Sequence, residues 1–93
     1  MTKQESAQRI YRWAFNTLGN KKSKCIELLC AKELAGIYEA GTDYDATYEA
    51  MERLLTQWRR ERRPGAEAVL KVLEPMLTVE PPVPADALRN AAD

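Results

Sequence analysis

The sequence predicts an all-α protein: a small antiparallel bundle of three to four helices followed by a proline-rich, disordered C-terminal tail. Three observations carry this. Apolar residues recur at intervals of three and four from Ala7 to Leu77, no stretch alternates with the period of two that a strand requires, and glycine or proline interrupts the pattern at Gly19, Gly41 and Pro64-Gly65. The breaks divide the chain into a helical domain over 1–77 and a tail over 78–93. A domain of this size builds a marginal core as a monomer.

Thr2-Lys3-Gln4-Glu5 reads as a capping box that opens the first helix, whose stripe is Ala7, Tyr11, Ala14 and Leu18 with Ile10 and Phe15 beside it, ending at Gly19-Asn20. The second helix is expected from about Ser23 to Ala40, with Ile26, Leu29, Cys30, Leu34 and Ile37 as its main face. Leu28, Ala31, Ala35 and Tyr38 cover much of the rest, so this helix is expected to be buried nearly all round as the central element. Gly41-Thr42-Asp43 then stops one helix and starts the next: Gly41 suits a left-handed C′ position, and Thr42 or Asp43 a cap.

From about Asp43 to Arg62 the pattern is cleanly amphipathic, with Tyr44, Tyr48, Met51, Leu55 and Trp58 on one stripe and Leu54 at its edge. Pro64 disfavours helical geometry at Arg63 but suits the first turn of a fourth helix. That helix places Ala66, Val69, Leu70, Leu73 and Leu77 on one face, and Pro75 ends or kinks it. Beyond it, Pro81, Pro82 and Pro84 read as an extended spacer.

Composition narrows the function classes. Apolar residues are 45% and charged residues 30% of the chain, a globular balance, and a formal net charge of zero gives no global pull toward nucleic acid or membrane. No stretch approaches the roughly 20 apolar residues of a membrane span, which makes a cytoplasmic location the default. Cys25 and Cys30 lie about 140° apart on one helix, so they do not pair with each other and read as reduced core thiols.

Histidine is absent, and the serines Ser6 and Ser23 fall near helix starts, where capping or solvation accounts for them. Glu33 lies within an apolar face and is expected to be bridged by an arginine of a neighbouring helix. Asp43, Asp45, Thr47 and Glu49 share the odd-position spacing of a calcium loop, but Tyr48 stands where such a loop needs glycine and Leu54 where it needs a bidentate glutamate. The reading is therefore non-enzymatic, with no catalytic, cofactor or metal residues assigned.

Charge is arranged in blocks. Residues 33–52 contain Glu33, Glu39, Asp43, Asp45, Glu49 and Glu52 and no Lys or Arg, whereas residues 53–63 contain five arginines and one glutamate. A hairpin about Gly41 would put Glu39, Asp43, Asp45, Glu49 and Glu52 at one end as a candidate acidic contact. Lys21, Lys22 and Lys24 would fall beside Arg59, Arg60, Arg62 and Arg63 at the other, as a candidate contact for anions or nucleic acid. The ends would lie on the order of 25 Å apart, beyond the Debye length of about 8 Å, and so would not neutralise each other within a monomer.

Arg9, Arg12 and Trp13 form a candidate partner contact, because Trp13 projects from the polar side of the first helix; burial under the tail or the fourth helix is the other explanation. Leu34-Ala35, Gly41-Thr42-Asp43, Ala50-Met51 and Leu54 resemble the helix-turn-helix of bacterial regulators, which implies DNA binding. The chain departs from that motif at Ile37, where a small residue is usual, and would present Asp43, Asp45 and Glu49 to the phosphates. The function expected is that of a non-catalytic macromolecule-binding protein: a small regulator, adaptor or inhibitor acting through contacts with a protein partner, as a homodimer. Nucleic-acid or other anion binding by the basic end is the first alternative, and a helix-turn-helix regulator the second.

Overall fold

The computed structural model describes residues 2–77. It is all-α: α1 (Lys3–Leu18), α2 (Cys25–Ala40), α3 (Tyr44–Glu61) and α4 (Ala66–Leu73), the last running into a 3₁₀ turn at Glu74–Met76. The predicted tail, with Pro81, Pro82 and Pro84, lies outside the described residues. Among the described residues no helix is long and apolar enough to cross a membrane.

The helix starts follow from local chemistry. Thr2 Oγ1 accepts the Glu5 N–H at 3.1 Å while the Glu5 carboxylate accepts the Thr2 N–H at 2.9 Å, completing the predicted capping box. That second bond, the larger cause, holds the Glu5 carboxyl below its usual range. Asp43 caps α3 through Oδ1, which accepts the Asp45 N–H at 3.0 Å. α2 starts later than Ser23 suggests. Its cap is Lys24, whose N–H is held by the Glu27 carboxylate at 2.7 Å, while the Ser23 hydroxyl donates instead to the Thr17 carbonyl at 2.8 Å and ties the loop to the end of α1.

The core is formed by Ala7, Ile10 and Ala14 of α1, Cys30, Ala31, Leu34 and Ala35 of α2, Tyr48, Met51, Leu55 and Trp58 of α3, and Val69, Leu70 and Leu73 of α4. α1 lies against both α2 and α3, and α4 closes the cluster against α2 and α3. The α2 to α3 pairings succeed one another in reverse sequence order: Gly41 with Thr47, Glu33 with Arg63, Ile26 with Gly65.

α3 and α4 match their predicted stripes closely, except that Tyr44 is exposed and Leu77 half-buried. α2 does not match. It is buried along a single line, Cys30-Ala31-Leu34-Ala35, and Leu29 is half-exposed, so it is not a helix surrounded by protein. Small residues on that line let α1 approach closely and leave the larger side chains at the edges. On α1 the buried line is Ser6, Ala7, Ile10 and Ala14, displaced from the predicted stripe, and Phe15 and Leu18 are exposed. Cys30 is buried as expected, and burial pushes its thiol up, whereas Cys25 is exposed and not a core residue.

Ser6 overturns its reading as a cap or solvated residue: it is fully buried, and its hydroxyl has no hydrogen-bond partner among the described residues.

The two turns flanking α3 use glycine for different reasons. Gly41 is extended, with φ −80° and ψ 148°, and is not the left-handed C′ residue that the sequence suggests. It is needed because a Cβ there would collide with Thr47 Oγ1. After α3 the left-handed residue is Arg62, at φ 50° and ψ 51°, and the Arg63 N–H reaches back to the Trp58 carbonyl at 3.1 Å. Gly65, at φ 80°, caps α4 and has the Ile26 side chain 3.2 Å from where a Cβ would stand.

Candidate protein-contact surfaces

The basic end forms because Gly65 packs on Ile26, bringing the segment after α3 against the first turn of α2, two residues beyond Lys24. Two of its arginines are engaged internally. Arg59 forms a two-pronged pair with Glu74, its Nε donating at 2.6 Å, and this pairing holds the Glu74 carboxyl below its usual range. Arg63 bridges Glu33 at 2.9 Å and lies over the Trp58 ring at 5.1 Å from its centroid. The arginine partner predicted for Glu33 is therefore present, although Glu33 itself is exposed rather than buried in an apolar face. Lys21, Lys22, Lys24, Arg60 and Arg62 are exposed.

Arg9, Arg12 and Trp13 do not act as a set. Arg9 and Arg12 are exposed, whereas Trp13 is half-buried and packs against the core. Trp13 follows Ser6 and Ile10 by seven and three residues, so the rotated buried face of α1 carries it inward. Intramolecular cover, the second explanation, is the one observed.

At the acidic end Glu39, Asp43, Asp45, Glu49 and Glu52 are all exposed. Lys3 reaches this end from α1 and bridges Glu49 at 3.1 Å, a bond that raises its pKa, with smaller contributions from Asp45 and Glu52. Glu39 accepts the Tyr11 hydroxyl at 2.9 Å, which pushes that phenol up. The first turns of α3 thus present Asp45 and Glu49 to solvent, on the helix that the helix-turn-helix resemblance assigns to the DNA groove.

Beside the carboxylates runs an aromatic strip that the sequence did not reveal. Phe15 and Tyr11 lie with ring centroids 6.2 Å apart, Tyr11 and Tyr38 stack at 4.2 Å and 17°, and Tyr38 and Tyr44 meet at 6.4 Å and 56°. The strip crosses from α1 to α2 and over the Gly41 turn to α3. Its ends are open: Phe15 is 63% and Tyr44 45% exposed. Tyr11, Phe15 and Leu18 at intervals of four and three were the available signal, but the same spacing was read as core. Burial, with the Tyr44 hydroxyl after it, pushes the Tyr38 phenol up.

At the Tyr44 end of the strip a cavity of about 180 Å³ is lined by Tyr38, Gly41, Thr42, Asp43, Tyr44 and Thr47. It combines two phenol rings, a threonine hydroxyl from the turn and one carboxylate. That chemistry suits recognition of a polar or cationic group and offers no nucleophile paired with a base. No protein-family model matches the chain, and no curated protein or solved structure shows significant similarity to it.

Proposed function

We propose that this protein is a non-catalytic macromolecule-binding protein, a small regulator, adaptor or inhibitor that works through protein contacts and self-associates as a homodimer. The observation that carries this reading is the aromatic strip from Phe15 to Tyr44, open at both ends and flanked by Glu39, Asp43 and Asp45. Aromatic side chains supply contact area at small entropic cost and are enriched at protein interfaces. Phe15 and Leu18 add the apolar contact that exposed ion pairs, worth about 0 to 1 kcal/mol each, do not supply.

Two-fold pairing would also set the carboxylates of one copy near Lys21, Lys22, Lys24, Arg60 and Arg62 of the other. Light scattering after size exclusion is expected to give twice the monomer mass of 10.6 kDa, and Phe15→Glu to halve it. A monomer at concentrations of about 100 μM overturns self-association, since a contact that weak falls short of a resting assembly. The wider protein-binding reading is tested by immobilising wild type and Phe15→Glu side by side against a lysate of the native host. A band retained by wild type and lost with the variant supports it, and identical retention counts against it.

A further inference from the structure

We infer that the cavity at the α2–α3 corner is a recognition pocket for one guanidinium group, the arginine head of a basic segment in a partner protein. The inference rests on the protein-binding reading above and deepens it by naming the chemistry of the partner.

The cavity's shape selects a flat cation. Tyr38 and Tyr44 form an angled wall, with ring centroids 6.4 Å apart and planes at 56°, so a group between them meets ring faces within the range where cation–π attraction operates. The remaining walls come from the Gly41-Thr42-Asp43 turn and Thr47, and the volume of about 180 Å³ admits the head of one side chain rather than a folded element. Gly41 lacks a Cβ here because Thr47 packs against it, and the same bare backbone keeps one wall of the cavity low.

Charge selects the sign. Asp43 lines the cavity, and with one oxygen engaged by the Asp45 N–H its second carboxylate oxygen remains to meet a donor. Glu39 stands three residues before Tyr38's neighbour Thr42, Asp45 one residue after Tyr44, and no lysine or arginine occurs from residue 33 to residue 52. The cation that α1 contributes to this end, Lys3, is bonded to Glu49. α2 also ends at Ala40, so the negative end of its dipole lies beside the cavity, while the opposing dipole of α3 is met by the Asp43 cap. An anion would face carboxylates, and an apolar group would strand the hydroxyls. Guanidinium is favoured over ammonium because its planar, weakly hydrated face stacks on rings while its edge donates to a carboxylate.

The test is a fluorescence-anisotropy titration of the full chain with a labelled nonapeptide of alternating glycine and arginine, paired with the same peptide carrying citrulline, which keeps the shape and removes the charge. The arginine peptide is expected to bind and to shift the backbone amide resonances of Thr42, Asp43 and Tyr44, with the citrulline peptide at least about tenfold weaker. Tyr44→Ala, at an exposed position, is expected to weaken binding by about tenfold. Asp43→Asn is expected to weaken it while keeping the helix cap.

Equal binding of the two peptides, or binding that both variants leave unchanged, overturns the assignment and identifies diffuse attraction to the acidic end. If Tyr44→Ala instead halves the mass of a dimeric wild type and the peptide does not bind, the pocket is filled by the second copy, which overturns a foreign partner while self-association stands. A wild type that is monomeric and binds the arginine peptide in the stated pattern supports the pocket although self-association fails.

Discussion

At its C-terminal end α3 carries Arg59 and Arg63, bonded to Glu74 and Glu33, and Arg63 also covers the buried Trp58. At its N-terminal end Asp43 and Asp45 stand exposed beside two tyrosine rings, and Lys3 bridges Glu49. The two ends look like mirror images in a count of charges, yet one is partly closed by its own chain and the other is left open. Formal charge density therefore overstates the basic end as a contact surface and understates the acidic one, because the number of charges does not reveal how many already have partners.

The largest expected effect lies at the closed end. Trp58 fills the core and supports Arg63, so Trp58→Ala is expected to cost about 3 to 5 kcal/mol, enough to unfold most of a domain this small, as seen in a thermal melt by circular dichroism. A shift of only a few degrees would mean that the two ends of α3 are equally loosely built.

At the open end Gly41→Ala is expected to cost about 1 to 3 kcal/mol, since the added methyl meets Thr47. Thr47→Ala in the same chain should restore part of that loss. Were the double variant no better than the single one, the glycine would be serving backbone freedom rather than close approach.

Arg62→Gly should raise stability by about 1 kcal/mol, because Arg62 holds a left-handed conformation that glycine adopts freely. Measured by urea denaturation, a loss instead would show that the Arg62 side chain contributes more at this turn than its exposure suggests.

The smallest effect is the pH dependence of the Arg59 and Glu74 pair. The folded-state pKa of Glu74 is lowered, so its contribution is fully present above the ordinary carboxylate pKa of about 4.3 and is lost as pH falls through the lower folded value. Glu74→Gln should flatten the acid limb of a stability profile slightly, and an unchanged limb would show that the pair is too well solvated to matter.

Much of the fold was legible in local chemistry. The Thr2 to Glu5 capping box, the Asp43 cap, the Tyr48-Met51-Leu55-Trp58 stripe and the stop before Pro75 each depend on residues within a turn or two of one another, and each is found in place. The arginine bridging Glu33 was anticipated from the cost of leaving a charge unpaired on an apolar face.

What the sequence by itself determined, then, is the helical class, the limits of α3 and α4 and the segregation of acid from base. Tertiary structure alone decided the rotation of α1, which buries Ser6, draws Trp13 inward and leaves Phe15 outside, and the narrow buried line of α2. It also decided which arginines were bonded and which rings met. The physical reason is that helical periodicity fixes the angle between residues on one helix but not the direction of its neighbours. Where apolar residues cover more of a helix than its neighbours can, packing chooses among several faces of similar hydrophobicity, and small residues win because they allow the closest approach.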